Sequence, residues 1–244
     1  MASVQKLDTI LYEVQQASVQ MSLPAPTGVY DSTDETALLM GSVANLAGIM
    51  VAEAYDWQQL RKTFTVAGNG VLTAFPLPAD FSRFVDDTGW STTMRRPIVI
   101  VNAQQWAAAK AWVPKLTISP MCRIFADQLQ FLVAPMNGEV ITIEYVDANW
   151  VIDGVTPTLF KQRATLNSDM PRLDWLLMVI AIKLKWLEQK GMATVAVQSD
   201  FNDRMQLLLG HDKVAQSLTL SGPMPGGFRY IDNAANVPDS GFGM

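Results

Sequence analysis

Apolar residues recur along this chain in two different periods, and the points where the period changes divide it into segments. Val4, Leu7, Leu11, Val14 and Met21 fall three, four or seven positions apart, so a helix would carry them on one stripe. The spacing predicts an amphipathic helix over residues 4–21, ended by Pro24 and Pro26. Ser32 and Glu35 have the spacing of a capping box, in which each side chain satisfies an orphan N–H, so a second helix is expected to start there. Leu39, Val43, Leu46, Met50, Ala54, Trp57 and Leu60 then repeat every three or four residues, one buried face carried for roughly six turns. Gly41, Ala44, Ala47 and Gly48 are small enough to admit a second helix at close range.

After Lys62 the period shortens to two. Phe64 and Val66 alternate with Thr63 and Thr65, Asn69-Gly70 offers the positive φ of a tight turn, and Val71–Phe75 is expected to return as the second strand of a hairpin. Residues 79–97 read as a packed loop rich in aromatics and charge, and Asn102–Trp112 as a short helix. Arg123–Val133 and Glu139–Val146 read as two strands separated by a turn at Pro135-Met-Asn-Gly138.

The helical period resumes from Arg172 to Lys190, with Gly191 placed for a left-handed cap. Leu173, Leu177, Ile180, Leu184 and Leu187 make one face, and Trp175, Met178, Val179, Ile182 and Trp186 lie on others. A helix apolar nearly all round needs cover on more than one side, and a neighbouring subunit is the expected second cover. Val197, Phe201, Met205 and Leu208 predict a shorter returning helix. From Ser217 the chain is rich in Gly and Pro, with Phe228, Tyr230, Ile231 and Phe242 as anchors for a partner; a tail contacting nothing fits the same composition. The expected fold is α+β, an antiparallel helical bundle with a β-rich insertion and an extended C-terminal tail. Residues 1–62 and 172–216 would form the bundle, 63–171 the insertion and 217–244 the arm.

Composition narrows the function classes. A chain of 244 residues with 49% hydrophobic positions can bury a substantial core, and a formal charge of -5 argues against a general nucleic-acid coat. The single cysteine, Cys122, excludes an internal disulfide and reads as a small core residue. The apolar windows Leu38–Ala54 and Leu173–Ile182 are short or interrupted for a membrane span, so no membrane partner is expected. The lone histidine, His211, leaves no two-histidine metal site, and Gly68-Asn69-Gly70 precedes a strand where a dinucleotide fingerprint needs a helix. Asp86 and Asp87 are adjacent in an extended loop, where their carboxylates point apart, and Arg83, Arg95 and Arg96 are the expected ion-pair partners. Arg95-Arg96, and Lys183 with Lys190, are too sparse for a nucleic-acid surface and fit solvated or inter-subunit ion pairs. Neither catalysis nor a cofactor is called for.

Five segments, in this order, carry a resemblance. They are Ala52-Glu-Ala-Tyr-Asp-Trp-Gln-Gln-Leu60, Leu77-Pro-Ala-Asp-Phe-Ser-Arg-Phe-Val-Asp-Asp-Thr-Gly-Trp90, Gln104-Gln-Trp106, Ile143-Glu-Tyr-Val-Asp-Ala-Asn-Trp150 and Lys185-Trp-Leu-Glu-Gln-Lys-Gly191. The set, over roughly residues 1–216, resembles the head-to-tail adaptor proteins of short-tailed double-stranded-DNA phages. The resemblance implies a virion neck protein, put together in the host cytoplasm, that forms a twelve-fold homo-oligomeric ring. The ring would dock under the portal protein, extend the DNA channel without sequence-specific binding, and offer a surface to a tail or nozzle protein or tail fibres. Interface candidates toward the portal or a neighbouring subunit are Trp175, Met178, Ile182, Trp186, Phe228, Tyr230, Ile231 and Phe242. Tail-facing candidates are Phe81, Phe84, Asp86, Asp87, Trp90, Arg95 and Arg96. A DNA-binding head-completion factor is the alternative function, and a hydrolase using Asp86, Asp87 and His211 is a third. The chain leaves the family pattern after Gly210.

Overall fold

The computed structural model describes residues 8–111 and 120–212. Helix α1 (Ile10–Gln20) starts where the Thr9 hydroxyl accepts the Tyr12 N–H, and the left-handed Ser22 turns the chain away after it. Val4 and Leu7, assigned to the same helix from their spacing, lie outside the described residues. Helix α2 (Glu35–Ala54) is capped by Asp34, whose carboxylate accepts from the Ala37 N–H at 3.1 Å. Ser32 bonds instead to the Asp34 N–H, so the expected Ser32–Glu35 box is replaced by a cap two residues later.

The buried face of α2 differs from the predicted one. Leu46 is exposed, while Met40, Val43, Ala44, Ala47, Gly48 and Val51 are covered. The small residues do admit a close neighbour, but at Gly48 it is a ring: a Cβ there would run into Trp150. By length and composition α2 could cross a membrane, and half of it is packed inside the fold. It also stops six residues before the predicted end, at Ala54, and Trp57 reaches the core beyond the break, its indole N–H donating to the Val51 carbonyl at 2.7 Å. A 3-10 turn (Gln58–Leu60) leads into the strands.

Strand β1 (Arg61–Ala67) does not fold back on its sequence neighbour. The strands that follow are β2 (Ala74–Pro76), β3 (Phe81–Phe84), β4 (Trp90–Ser91), β5 (Arg96–Pro97) and β6 (Val99–Ile100). After α3 (Ala103–Ala111) come β7 (Met121–Phe125), β8 (Gln128–Phe131) and β9 (Val140–Asp147). β1 pairs with β9 through all seven of its residues, from Arg61 opposite Val146 to Ala67 opposite Val140, while β2 pairs with β8 in the other sheet. The predicted hairpin is therefore absent. Asn69 accepts the Val71 and Leu72 N–H groups, so Asn69-Gly70 makes a turn, but the chain leaves that turn toward a different sheet.

The reason is length. Seven antiparallel pairs along β9 outweigh the three that β2 offers, and β9 alternates buried Ile141, Ile143 and Tyr145 with less covered positions, fixing the register. The single strand expected over Arg123–Val133 is itself a hairpin, turned at Ala126 and Asp127, both with positive φ. The first sheet runs β1-β9-β4-β5 with β3 also on β9, and the second runs β2-β8-β7-β6. Cys122, Leu129 and Phe131 of the second meet Val66, Ile141, Ile143 and Tyr145 of the first in one shared core.

The remaining strands β10 (Val151–Ile152), β11 (Phe160–Lys161) and β12 (Met170–Pro171) make a third small sheet, followed by α4 (Trp175–Gln189) and α5 (Val195–Asp212). Asp174 caps α4, which starts at Trp175 and not at the expected Arg172, and the left-handed Gly191 follows its end, as the sequence predicted. Helix α4 is central, packed against α1, α2 and α5.

This is not a helical bundle with a β insertion. It is a mixed molecule of helices and three sheets, because the helices do not close a core among themselves. Val85, Val146, Trp150, Val151 and Ala164, from the β-rich part, and Trp57, from the break after α2, complete the cluster that buries α1, α2 and α4. Trp150 alone fills the groove that Gly48 leaves in α2.

Candidate functional site

The buried charges come first, since a group held away from water at a cost is a place to look for chemistry. Asp147, at the end of β9, is 1% exposed and accepts from Lys62 at 2.8 Å, from Arg172 at 2.9 Å and from the Asn149 N–H. Lys62 also meets Asp80 at 2.5 Å, and the Tyr145 hydroxyl donates to Asp80 at 3.0 Å. Arg172 stacks on Phe160 and donates to the Gln59 carbonyl. Burial alone would raise the Asp80 pKa, but the Lys62 and Tyr145 hydrogen bonds outweigh it and hold the group below its ordinary value. Tyr145 moves the other way, up to about 12, from burial and from the neighbouring Asp80.

Every member of this cluster is matched by another. It ties β1, the approach to β3, the end of β9 and the approach to α4 into one knot. A second knot surrounds Asp169, whose buried carboxylate takes Lys161 at 2.7 Å and the N–H groups of Gly154, Thr165 and Leu166. Both knots are staples, in which paired charges fix loops against the core.

Glu13 on α1 differs. It is 1% exposed and its Oε2 has no hydrogen-bond partner among the described residues. Burial, then the carboxylates of Asp8 and Asp174, push its pKa well above the ordinary value. Cys122 is fully buried and burial raises its thiol to about 12, which fits the core role read from the sequence. No group of three or more His, Cys, Asp or Glu able to hold a metal ion occurs among the described residues.

The helix α4 residues named as interface candidates divide. Met178, Ile182 and Trp186 are buried within this one chain, because α1, α2 and α5 cover three sides of the helix; only Trp175 is exposed, at 39%. The inference that a lone copy leaves this helix uncovered is therefore corrected. Phe228, Tyr230, Ile231 and Phe242 lie outside the described residues.

Among the tail-facing candidates, Phe84 is buried in the sheet core and Phe81 packs on it with ring centroids 4.7 Å apart. Trp90 is half-buried in β4, whereas Asp86, Asp87, Arg95 and Arg96 are exposed. Arg83 does not serve Asp86 or Asp87: it binds Asp56 at 2.8 Å and the Tyr55 carbonyl, linking β3 to the break after α2.

What the sequence reading missed is the far end of the first sheet, where three loops meet. The Gly68 N–H donates to the Glu139 carbonyl, Gly138 to Gly68 and Gly70 to Pro135, so loops 68–73 and 132–138 lie side by side. Glu139, 1% exposed, accepts from the Ser91 hydroxyl at 2.7 Å and from the Met136 N–H at 2.8 Å, clamping the loop after β4 to the same tip. Around this fixed backbone Val71 is 79% exposed, Met136 60%, and Leu72 and Val133 52% each. The loops 68–73, 91–97 and 132–138 contain two cations, Arg95 and Arg96, and no carboxylate. Exposed apolar side chains on a well-fixed backbone mark a contact surface. The run Val71-Leu72 beside a Gly turn was the available signal, and reading it as a strand hid it. Compared with known protein families and with curated proteins, the chain matches none.

Proposed function

We propose that this chain is a virion structural protein, a head-to-tail adaptor subunit that docks beneath a portal ring, extends the DNA channel and presents an attachment surface to the tail. The observation that supports this reading is the loop tip: apolar side chains held outward at the end of a sheet by a buried carboxylate, while the buried ion clusters staple the fold together. Such a surface suits assembly rather than turnover. The ordered segments quoted above, from Ala52 to Gly191, give the reading its particular form.

The test is to mix the purified full chain with portal rings from phages that encode related segments and image the product. Added density as a symmetric collar under the portal is the expected result. No binding at any salt concentration overturns the reading.

A further inference from the structure

We propose that the recess between α2, the end of β9 and the loop after β11 is a binding site for a free apolar α-amino acid of leucine to phenylalanine size. The site stands apart from the loop tip and does not depend on the adaptor reading. Ile49, Ala52 and Glu53 share one face near the end of α2 and form one wall; Val146 and Trp150 line the recess from the β-rich part, and Arg163 lines it from the loop. The Trp150 ring is seated on Gly48 of the same helix. The free space is about 180 Å³. An apolar cavity of about 150 Å³ takes a benzene molecule, so a branched or aromatic side chain fits here.

The polar groups around this space are the ones the fold leaves open. Glu53 and Arg163 are exposed, carry opposite charges and stand on different segments lining one recess. Neither forms an ion pair or a hydrogen bond with a described residue. The third charge there, the Asp147 carboxylate, is already taken by Lys62 and Arg172. Trp150 is 1% exposed, and its indole N–H has no acceptor among the described residues. The indole of Trp57, by contrast, finds the Val51 carbonyl. Buried donors are nearly always satisfied, so an orphan beside a recess marks a place for an acceptor from outside.

A carboxylate answers Arg163 and supplies that acceptor, an ammonium answers Glu53, and an apolar body packs on Ile49, Ala52, Val146 and the Trp150 ring. An α-amino acid carries all three on one carbon. A simple carboxylate would meet Glu53 as a like charge, and a simple amine would meet Arg163 as one, so each loses where the zwitterion gains.

Isothermal titration calorimetry on the full chain, with a thermal shift measured alongside, reads the site. L-phenylalanine and L-leucine are expected to bind and to raise the Tm. Phenylpropionate, which lacks the ammonium, and phenethylamine, which lacks the carboxylate, should each bind about tenfold or more weaker, as should N-acetylphenylalanine amide, which lacks both charges. Arg163→Ala and Glu53→Gln, two exposed positions, should each weaken phenylalanine by about tenfold or more without altering the far-UV spectrum.

Neither heat nor a thermal shift with either amino acid at millimolar concentration overturns the site and leaves the recess to water. Unchanged affinity in both variants overturns it too, since binding would then lie elsewhere. An amide that binds as tightly as phenylalanine also overturns it, because the occupant would then be a peptide segment of a partner protein. None of these results bears on portal binding, which is measured separately and judges the adaptor reading by itself.

Discussion

Glu13 shows how much one side chain can set at the residue scale. Its carboxyl is buried near the carboxylates of Asp8 and Asp174, with one oxygen unbonded among the described residues, so the folded state favours the protonated form. Its folded pKa is raised above the unfolded value, so the folded state keeps a proton that the unfolded chain gives up. Stability therefore falls as pH rises from the unfolded pKa toward the folded one. Glu13→Gln should raise the Tm at pH 8, leave it nearly unchanged at pH 4, and flatten the fall between; at this chain length each kcal/mol corresponds to roughly 2–4 °C. A variant with the wild-type slope in calorimetry would show that Glu13 is ionised in the fold. Gly48 sets a different limit. Gly48→Ala places a methyl against the Trp150 ring, a buried side chain with no room to retreat, and should cost about 1–3 kcal/mol in urea unfolding.

The staples decide at the scale of elements. Asp147 is the shared acceptor of Lys62 and Arg172, and Lys62 keeps Asp80, so Asp147→Ala leaves the mostly buried Arg172 without its carboxylate and should cost about 3–5 kcal/mol in chemical denaturation. Loss of the Lys62 amine is milder, because Arg172 still pairs with the carboxylate. At the other end of the same strand, Glu139→Ala removes the acceptor for Ser91 and Met136, two buried or half-buried donors. The expected loss is about 1–3 kcal/mol, with faster amide exchange confined to loops 68–73, 91–97 and 132–138. Uniform exchange across both sheets would mean that the tip is not a separate unit. The hairpin that did not form belongs to this scale too. Asn69-Gly70 does what its chemistry demands, but a turn fixes only four residues, and the strand it launches is claimed by whichever partner offers the longer register.

For the whole molecule, the buried and half-buried carboxylates make stability depend on pH from both sides. Asp80 and Asp169 are held below their ordinary values. At Asp169 burial opposes ionisation, but Lys161 and three backbone N–H groups outweigh it. Their stabilisation is present above the unfolded carboxylate pKa and is lost as pH falls through the lowered folded values, while Glu13 withdraws stability on the rising side. Thermal unfolding across pH should therefore pass through a maximum in the mildly acidic range, and Glu13→Gln should shift that maximum upward; a flat profile above pH 5 contradicts this.

The sequence by itself determined the helices whose ends are marked by caps and breakers. Asp174 and Gly191 bracket α4, Pro24 follows α1, and Asn102 with Gln105 opens α3, because capping is a contest among neighbouring residues for the same few orphan groups. The buried role of Cys122 was legible for a similar reason, since a lone small apolar residue among strands has few other uses. Only the tertiary structure decided which faces of those helices are covered and which strands pair. Leu46 stays outside while Gly48 goes in because Trp150, about a hundred positions away, needs the space a glycine leaves. Helix α4 is covered on three sides by its own chain because α1, α2 and α5 converge on it, a fact that its own periodicity does not contain. Local spacing states which residues can share a face; long-range packing chooses among the faces, because buried area is counted only once the partners have met.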